Sequence, residues 1–290
     1  MNRGHRELLG PGQLVLNVHS RPGPAALRFE RADGRRLLLR QGEQPLLLGR
    51  SVGAGCCPDF HLHRLDGYRS PLPPLRSADQ RSSLNWTHQY TRWLEEADGT
   101  PLRDGRWELA LRTGFPPGIW TEDFVREWPT GQLGLYCGGG WHGVLPLRRL
   151  SAPDAGRVKA YRKHAREGTL APVLLWWVTF LDGFVILDGH DRAVAALAEG
   201  RTPESVVLSQ VPDDQVWREA AERFTHDHEH RMRHLATRPA QQRAAMERGY
   251  AEMIASLPYA AEPTTVQPLP GGAATWDAIA ARAMFQCPRD

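Results

Sequence analysis

Apolar residues recur along this chain in two rhythms, and the change comes near residue 143. From Gln13 to Gly49 they form short runs, "LVLNV", "ALRFE", "RLLLR" and "PLLLG", set apart by Gly, Pro and Asp turns. Runs of that length between turn residues predict antiparallel strands. From Gly143 the order becomes regular. "GVLPLRRL" reads as a strand, and "DAGRVKAYRKHAREG" as a helix that keeps Val158, Tyr161 and Ala165 on one face and stops at Gly168. "APVLLWWVTFLDGFVIL" is long enough to span a membrane, but Asp182-Gly183 divides it into two strand-sized halves, so a hairpin is predicted. A helix from about His190 to Glu199 and a strand at "ESVVLSQV" complete the order β, α, β-hairpin, α, β.

After Pro212 the period becomes helical. In "VWREAAERFTHDHEHRMRHL", Trp217, Ala221, Phe224, His228, Met232 and Leu235 share one face, and His226, His230 and His234 line the opposite one. Two histidines four apart can chelate a metal, but zinc needs three or four supported ligands and no further one is identifiable, so solvated histidines are expected. "AAEPTTVQPLPGGAAT" reads as a linker before a last helix at "WDAIAARAMF". Upstream, "SPLPPLRSADQRSS" is a proline-rich surface loop, and Trp86, Trp93, Trp107, Trp120, Trp128 and Trp141 alternate with turns. Tryptophans so scattered are expected in a core or interface rather than as a platform for bases. With "CGGGWHG" as a boundary, the expectation is an α+β protein in three parts: a β-rich region 1–142, a small sheet with helices at 143–212, and helices at 213–290.

Composition narrows the class. At 290 residues, 41% hydrophobic and 24% charged, the chain is that of an ordinary globular protein with room for about two domains. A formal charge of +3 and a pI near 8.8 are only mildly basic. Among 36 Lys and Arg residues only Lys159 and Lys163 are lysine, a bias that runs through the whole chain. The basic run Arg157, Lys159, Arg162, Lys163 and Arg166 therefore reads as a solvated helix face, and a nucleic-acid partner is not expected. "MNRGHRELLGPGQLVLNV" lacks an apolar stretch of secretory length, which leads us to expect a cytoplasmic protein with no membrane partner. Cys56, Cys57, Cys137 and Cys287 make neither a CxxC pair nor a disulfide framework, so free thiols without structural zinc are expected.

The candidate chemistry lies in "FVILDGHDRAVAALAEG", where four polar groups in five residues sit between a buried strand and a helix. A helix starting there leaves its first N–H groups unpaired, with partial positive charge at that end. Gly189 lets a ligand approach the backbone, His190 can donate a hydrogen bond, and Arg192 can fork two phosphate oxygens. Asp188 and Asp191 would fit beside them if a divalent cation came with the phosphates. A purely structural alternative has Asp188 capping the helix, Asp191 in its first turn and Arg192 pairing with either.

"PVLLWWVTFLDGFVILDGHDRAVAALAEG", preceded by "VLPLRRLSAPDAGRVKAYRKHAREGTLAP", resembles the core motif of the ParB/sulfiredoxin-like superfamily. The turn is closest to the DGHHR turn of its free-serine-kinase members, and the likeness covers roughly Gly143 to Val211. It implies a turn that binds the phosphates of ATP, CTP or ADP, with the role carried to Gly189, His190 and Arg192 and with Asp188 as turn former or metal partner. Sulfiredoxins have a cysteine where His190 stands, so thiol repair is not implied. ParB proteins that hydrolyse CTP carry an acidic-arginine-arginine turn, which this chain lacks. Free-serine kinases have two histidines in the turn and a glutamate base near the first strand, where this chain has His190-Asp191 and, as its nearest acid, Asp154.

The resemblance thus implies a nucleotide-binding enzyme that uses ATP or CTP with Mg2+ held by Asp188 or Asp191. Asp154 would serve as base, with Asp191 beside it, for phosphotransfer to, or nucleotide hydrolysis with, a small hydroxyl acceptor. A binding module that keeps the phosphate cradle and meets a protein partner through its tryptophans is the alternative. A ParB-like nuclease with phosphate contacts from Arg162, Lys163 and Arg166 is a third.

Overall fold

The computed structural model describes residues 5–10, 12–21, 23–53, 59–75, 84–126, 128–134, 140–235 and 239–286. All four cysteines fall outside these residues, so the thiol expectation does too. In chain order the strands are β1 (His5–Gly10), β2 (Gln13–Val18), β3 (Leu27–Ala32), β4 (Arg36–Gln41), β5 (Gln44–Val52), β6 (Asp59–Arg64) and β7 (Gly105–Arg112). They continue with β8 (Thr130–Gly134), β9 (Val144–Pro146), β10 (Val173–Val178), β11 (Gly183–Asp188), β12 (Ser205–Val211) and β13 (Val266–Pro268). The helices are α1 (Trp86–Glu96), α2 (Gly156–Glu167), α3 (His190–Ala198), α4 (Asp214–His234), α5 (Ala240–Ser256) and α6 (Gly272–Arg282). The architecture is α+β, with two mixed sheets and, among the described residues, six α-helices.

The first sheet has the order β1-β2-β7-β12-β10-β11-β9, and the second β13-β3-β4-β5-β6-β8. Strands from both sides of residue 143 share the first sheet, because β7 pairs with β12 from Arg106 to Arg112. The second sheet likewise joins the β-meander of the first hundred residues to β13 near the end of the chain. Thus the meander from β3 to β6 is antiparallel as its pattern predicts, whereas β2 leaves it for the first sheet.

The strands at the site alternate between two buried faces. Leu174, Trp176, Val185, Leu187, Val206 and Leu208 pack into a core shared with the second sheet, where Phe29, Leu39 and Leu47 meet them. Their neighbours Val173, Leu175, Phe184, Ile186 and Val207 face the other way, toward Ala193 of α3 and toward Ile119, Trp120 and Phe124. A strand buried on both faces must be apolar throughout, which is why "FVIL" shows no alternation. Fully burying side chains of this size stabilises by about 1.5 to 3 kcal/mol each, so β11 is a rigid base for whatever follows it. Trp107, Trp120 and Trp141 are buried, and Trp86 and Trp93 pack half-buried against the larger core.

The helical hairpin α4–α5 keeps its predicted faces, with His226, His230 and His234 exposed, but buries its apolar side only partly. Neither helix buries a residue, and Phe224 on the expected apolar face is 40% exposed. Trp217, Ala221, His228, Met232 and Leu235 of that face are half-buried, against α5, where Thr225 and His228 meet Tyr250, and against the turn Leu257–Tyr259. The segment read as a linker supplies β13, and the last helix begins at Gly272, earlier than its sequence pattern suggests. No helix among the described residues is long and apolar enough to cross a membrane.

Candidate functional site

The site is the junction of β11 with α3. The chain leaves the sheet at Asp188, turns at Gly189 with φ +95°, and enters the helix at His190. That φ favours glycine, and space demands it as well: a Cβ there would stand 2.7 Å from Arg192 Nη2 and 3.1 Å from its Nε. Arg192 is folded back under the turn it follows. Its Nη2 donates to Asp188 Oδ2 at 2.8 Å, to the Tyr90 hydroxyl at 2.9 Å and to the Pro172 carbonyl at 3.0 Å. Tyr90 in turn donates to that same carbonyl. The Nε of Arg192 is left buried without an acceptor.

Burial fixes the other side chains of the turn in the same way. His190 accepts the Leu147 N–H on Nε2 at 3.1 Å, which puts its ring proton on Nδ1. Burial, with the Arg148, Arg192 and Arg64 charges adding to it, pushes the His190 pKa well below the usual range, so the ring is neutral. Its acceptor nitrogen is already occupied, which leaves it no acid–base role toward a ligand. Tyr68 packs beside it with ring centroids 5.9 Å apart and donates to the Leu187 carbonyl at 2.6 Å. Burial first, and Asp188 second, push the Tyr68 phenol well above its usual range, so it stays protonated.

The two carboxylates face separate sets of partners. Asp188 accepts from Ser70 on Oδ1 at 2.7 Å and from Arg192 on Oδ2. Asp191 accepts from Ser151 at 2.9 Å and from Arg148 at 3.0 Å on Oδ1, and lies 3.5 Å from Arg157 on Oδ2. Among the described residues no group of three or more His, Cys, Asp or Glu side chains could hold a metal ion. Asp188 and Asp191 are instead each matched by arginine and serine neighbours.

What stays open is the rim. α3 has no side-chain hydrogen bond at its N-terminus, and Asp188 and Gly189 keep partial exposure. Arg148 and Arg157, with side chains 40% and 62% exposed, share the single buried carboxylate of Asp191. Two cations on one anion leave surplus positive charge beside a helix start that is itself positive. Asp154 is exposed in the turn before α2, three residues after Ser151, and bonds none of the turn residues.

The structure thus gathers Asp188, Gly189, His190, Asp191 and Arg192 but holds His190 and Arg192 inside. It adds Tyr68, Ser70, Tyr90, Arg148, Ser151 and Arg157, which the turn motif alone does not suggest. Of these only Arg157 carried a sequence signal, as the first cation of the α2 run. The others of that run are mostly engaged locally: Arg162 and Arg166 both donate to Glu199 Oε1, at 2.6 and 2.8 Å. The hydrogen bond from Arg162, then the Arg166 charge, holds the Glu199 carboxyl below its usual range. No protein-family model, curated protein or solved structure matches the chain.

Proposed function

We propose that the start of α3 binds the phosphates of a nucleotide, ATP or CTP, and that residues 143–212 are a ParB/sulfiredoxin-like unit built for this. The observation that carries the reading is the uncapped helix start flanked by Arg148 and Arg157, which share one carboxylate. A phosphate there would meet backbone N–H groups and two guanidinium forks. The element order β9-α2-β10-β11-α3-β12 supports the same reading. Arg192 then acts as the strut that holds the turn open for the ligand, and Asp188 is the strut's counter-ion.

Binding is the primary activity in this proposal. His190, Asp188 and Asp191 are all engaged by neighbours, so phosphotransfer to a hydroxyl acceptor rests on Asp154, exposed three residues before Arg157 in sequence. A base contributes to the transition state more than to ground-state binding. The paired test uses Arg148→Ala/Arg157→Ala and Asp154→Asn in calorimetric titrations with ATP and CTP. The double arginine variant is expected to lose about 1.5 to 3 kcal/mol of nucleotide binding per fork removed. Asp154→Asn should bind as wild type and lose turnover. Unchanged affinity in the arginine variant would end the phosphate assignment, and full turnover in Asp154→Asn would end that of the base.

A further inference from the structure

Beyond Asp191, α3 walls a second concavity. Val194 and Leu197 face Trp120, Phe124 and Leu150 across a cleft of about 490 Å³, within the range of small-molecule sites. The cleft meets the α3 start at Ser151, which lines it and also donates to Asp191.

Its charge is one-sided. Among the described residues no Asp or Glu lines the cleft, whereas Arg126 and Arg201 do. Arg126 donates to the Trp120 carbonyl at 3.3 Å and lies 5.4 Å over the Phe124 ring. Arg201 donates to the Arg166 carbonyl at 3.3 Å. Each guanidinium is thus anchored by a neutral carbonyl, and among the described residues neither pairs with a carboxylate, which differs from Arg148 and Arg157 around Asp191. In the same wall the buried Trp120 Nε1 has no acceptor, and a native fold seldom leaves such a donor unpaired without a reason.

We propose that this cleft is a binding site for a small organic anion with an aromatic or branched apolar body. The body lies between Trp120 and Phe124 on one side and Val194 and Leu197 on the other. The anionic group reaches the arginine rim, where a guanidinium offers it two parallel donors. An apolar floor with a few charged groups gives both affinity and orientation. The site is separate from the phosphate position and does not depend on the nucleotide reading.

The test is a calorimetric titration of the full chain with 2-naphthoate and with its neutral counterpart 2-naphthalenemethanol. One saturable site for naphthoate is expected, with the alcohol weaker by about tenfold or more, as for a lost charge-assisted hydrogen bond. Arg126→Ala/Arg201→Ala should bring naphthoate down to the level of the alcohol. Leu197→Trp, which fills the cleft from a half-exposed position, should abolish both. Melting temperatures of the two variants would establish that they fold. If either misfolds, the ratio of naphthoate to alcohol in the wild type still decides. No naphthoate binding at millimolar concentration, equal affinity for acid and alcohol, or unchanged binding in a folded variant would each overturn the proposal.

Discussion

At the scale of single residues, Arg192 is the side chain whose role the structure defines best. It is 3% exposed and touches Asp188, Tyr90 and Pro172 at once. Removing Arg192 takes a charge-assisted hydrogen bond from Asp188, which keeps Ser70 and some exposure, and such a loss costs about 1.5 to 3 kcal/mol. Arg192→Met is therefore expected to lower the free energy of urea unfolding by about that amount; a loss below about 1 kcal/mol would mean the pair is no strut. His190 makes a pH prediction. Its folded pKa lies below the reference value of 6.5, so below that pH the unfolded chain binds the proton that the folded chain refuses. Stability is full above pH 6.5 and falls as the pH drops from 6.5 toward 5, by at most about 1.4 kcal/mol per pH unit for each such group. His63, also lowered by burial and by Arg64, contributes in the same direction. Urea melts between pH 7.5 and 5 should show the decline, shallower in His190→Gln; a flat wild-type profile would contradict a buried neutral His190. The turn's composition signalled a special site, but the direction in which Arg192 points could not be read from it. Tyr90 lies 102 residues away in sequence, and nothing local announces such a contact.

At the scale of elements, β10, β11, α2 and α3 were legible because each carries a strong period and a clear stop. Gly168 closes α2 at φ +70°, and Gly189 opens α3. Strand β7 was not, since "GRWELALR" sits among turns and gains its identity by pairing with β2 and β12 on its two sides. Helix α4 is the opposite case, a clear amphipathic period whose apolar face is only half-buried, against α5 and the turn Leu257–Tyr259. An isolated helix pair is marginal in water, because helical stability comes mostly from tertiary packing. Amide exchange in α4 and α5 is therefore expected to be the fastest among the helices, with α3 protected to near the global unfolding free energy. Equal protection in α4 and α3 would show that the hairpin is buried in solution against a second surface.

At the scale of the whole molecule, the two sheets are tied through one core in which Phe29, Leu39, Trp107, Trp176 and Leu208 all take part. The apolar pattern foretold an α+β protein and the tryptophans a core or interface, but not that strands from both sides of residue 143 would share each sheet. Long-range pairing leaves no periodic trace in a sequence, so strand order has to be seen. In this frame α1 brings Tyr90, and the loop after β6 brings Tyr68 and Ser70, up against the turn from which α3 starts. Their convergence sets the turn rigidly and leaves Arg148 and Arg157 as its open edge. The central claim is that this edge takes the phosphates of a nucleotide. Thermal unfolding of the wild-type chain with ATP, CTP, GTP and ADP, each with and without Mg2+, measures it directly. At a hundredfold excess over the dissociation constant, at least ATP or CTP should stabilise the fold by about 2.7 kcal/mol, and Arg148→Ala/Arg157→Ala should remove the gain. No shift with any of the four nucleotides at millimolar concentration would contradict the account.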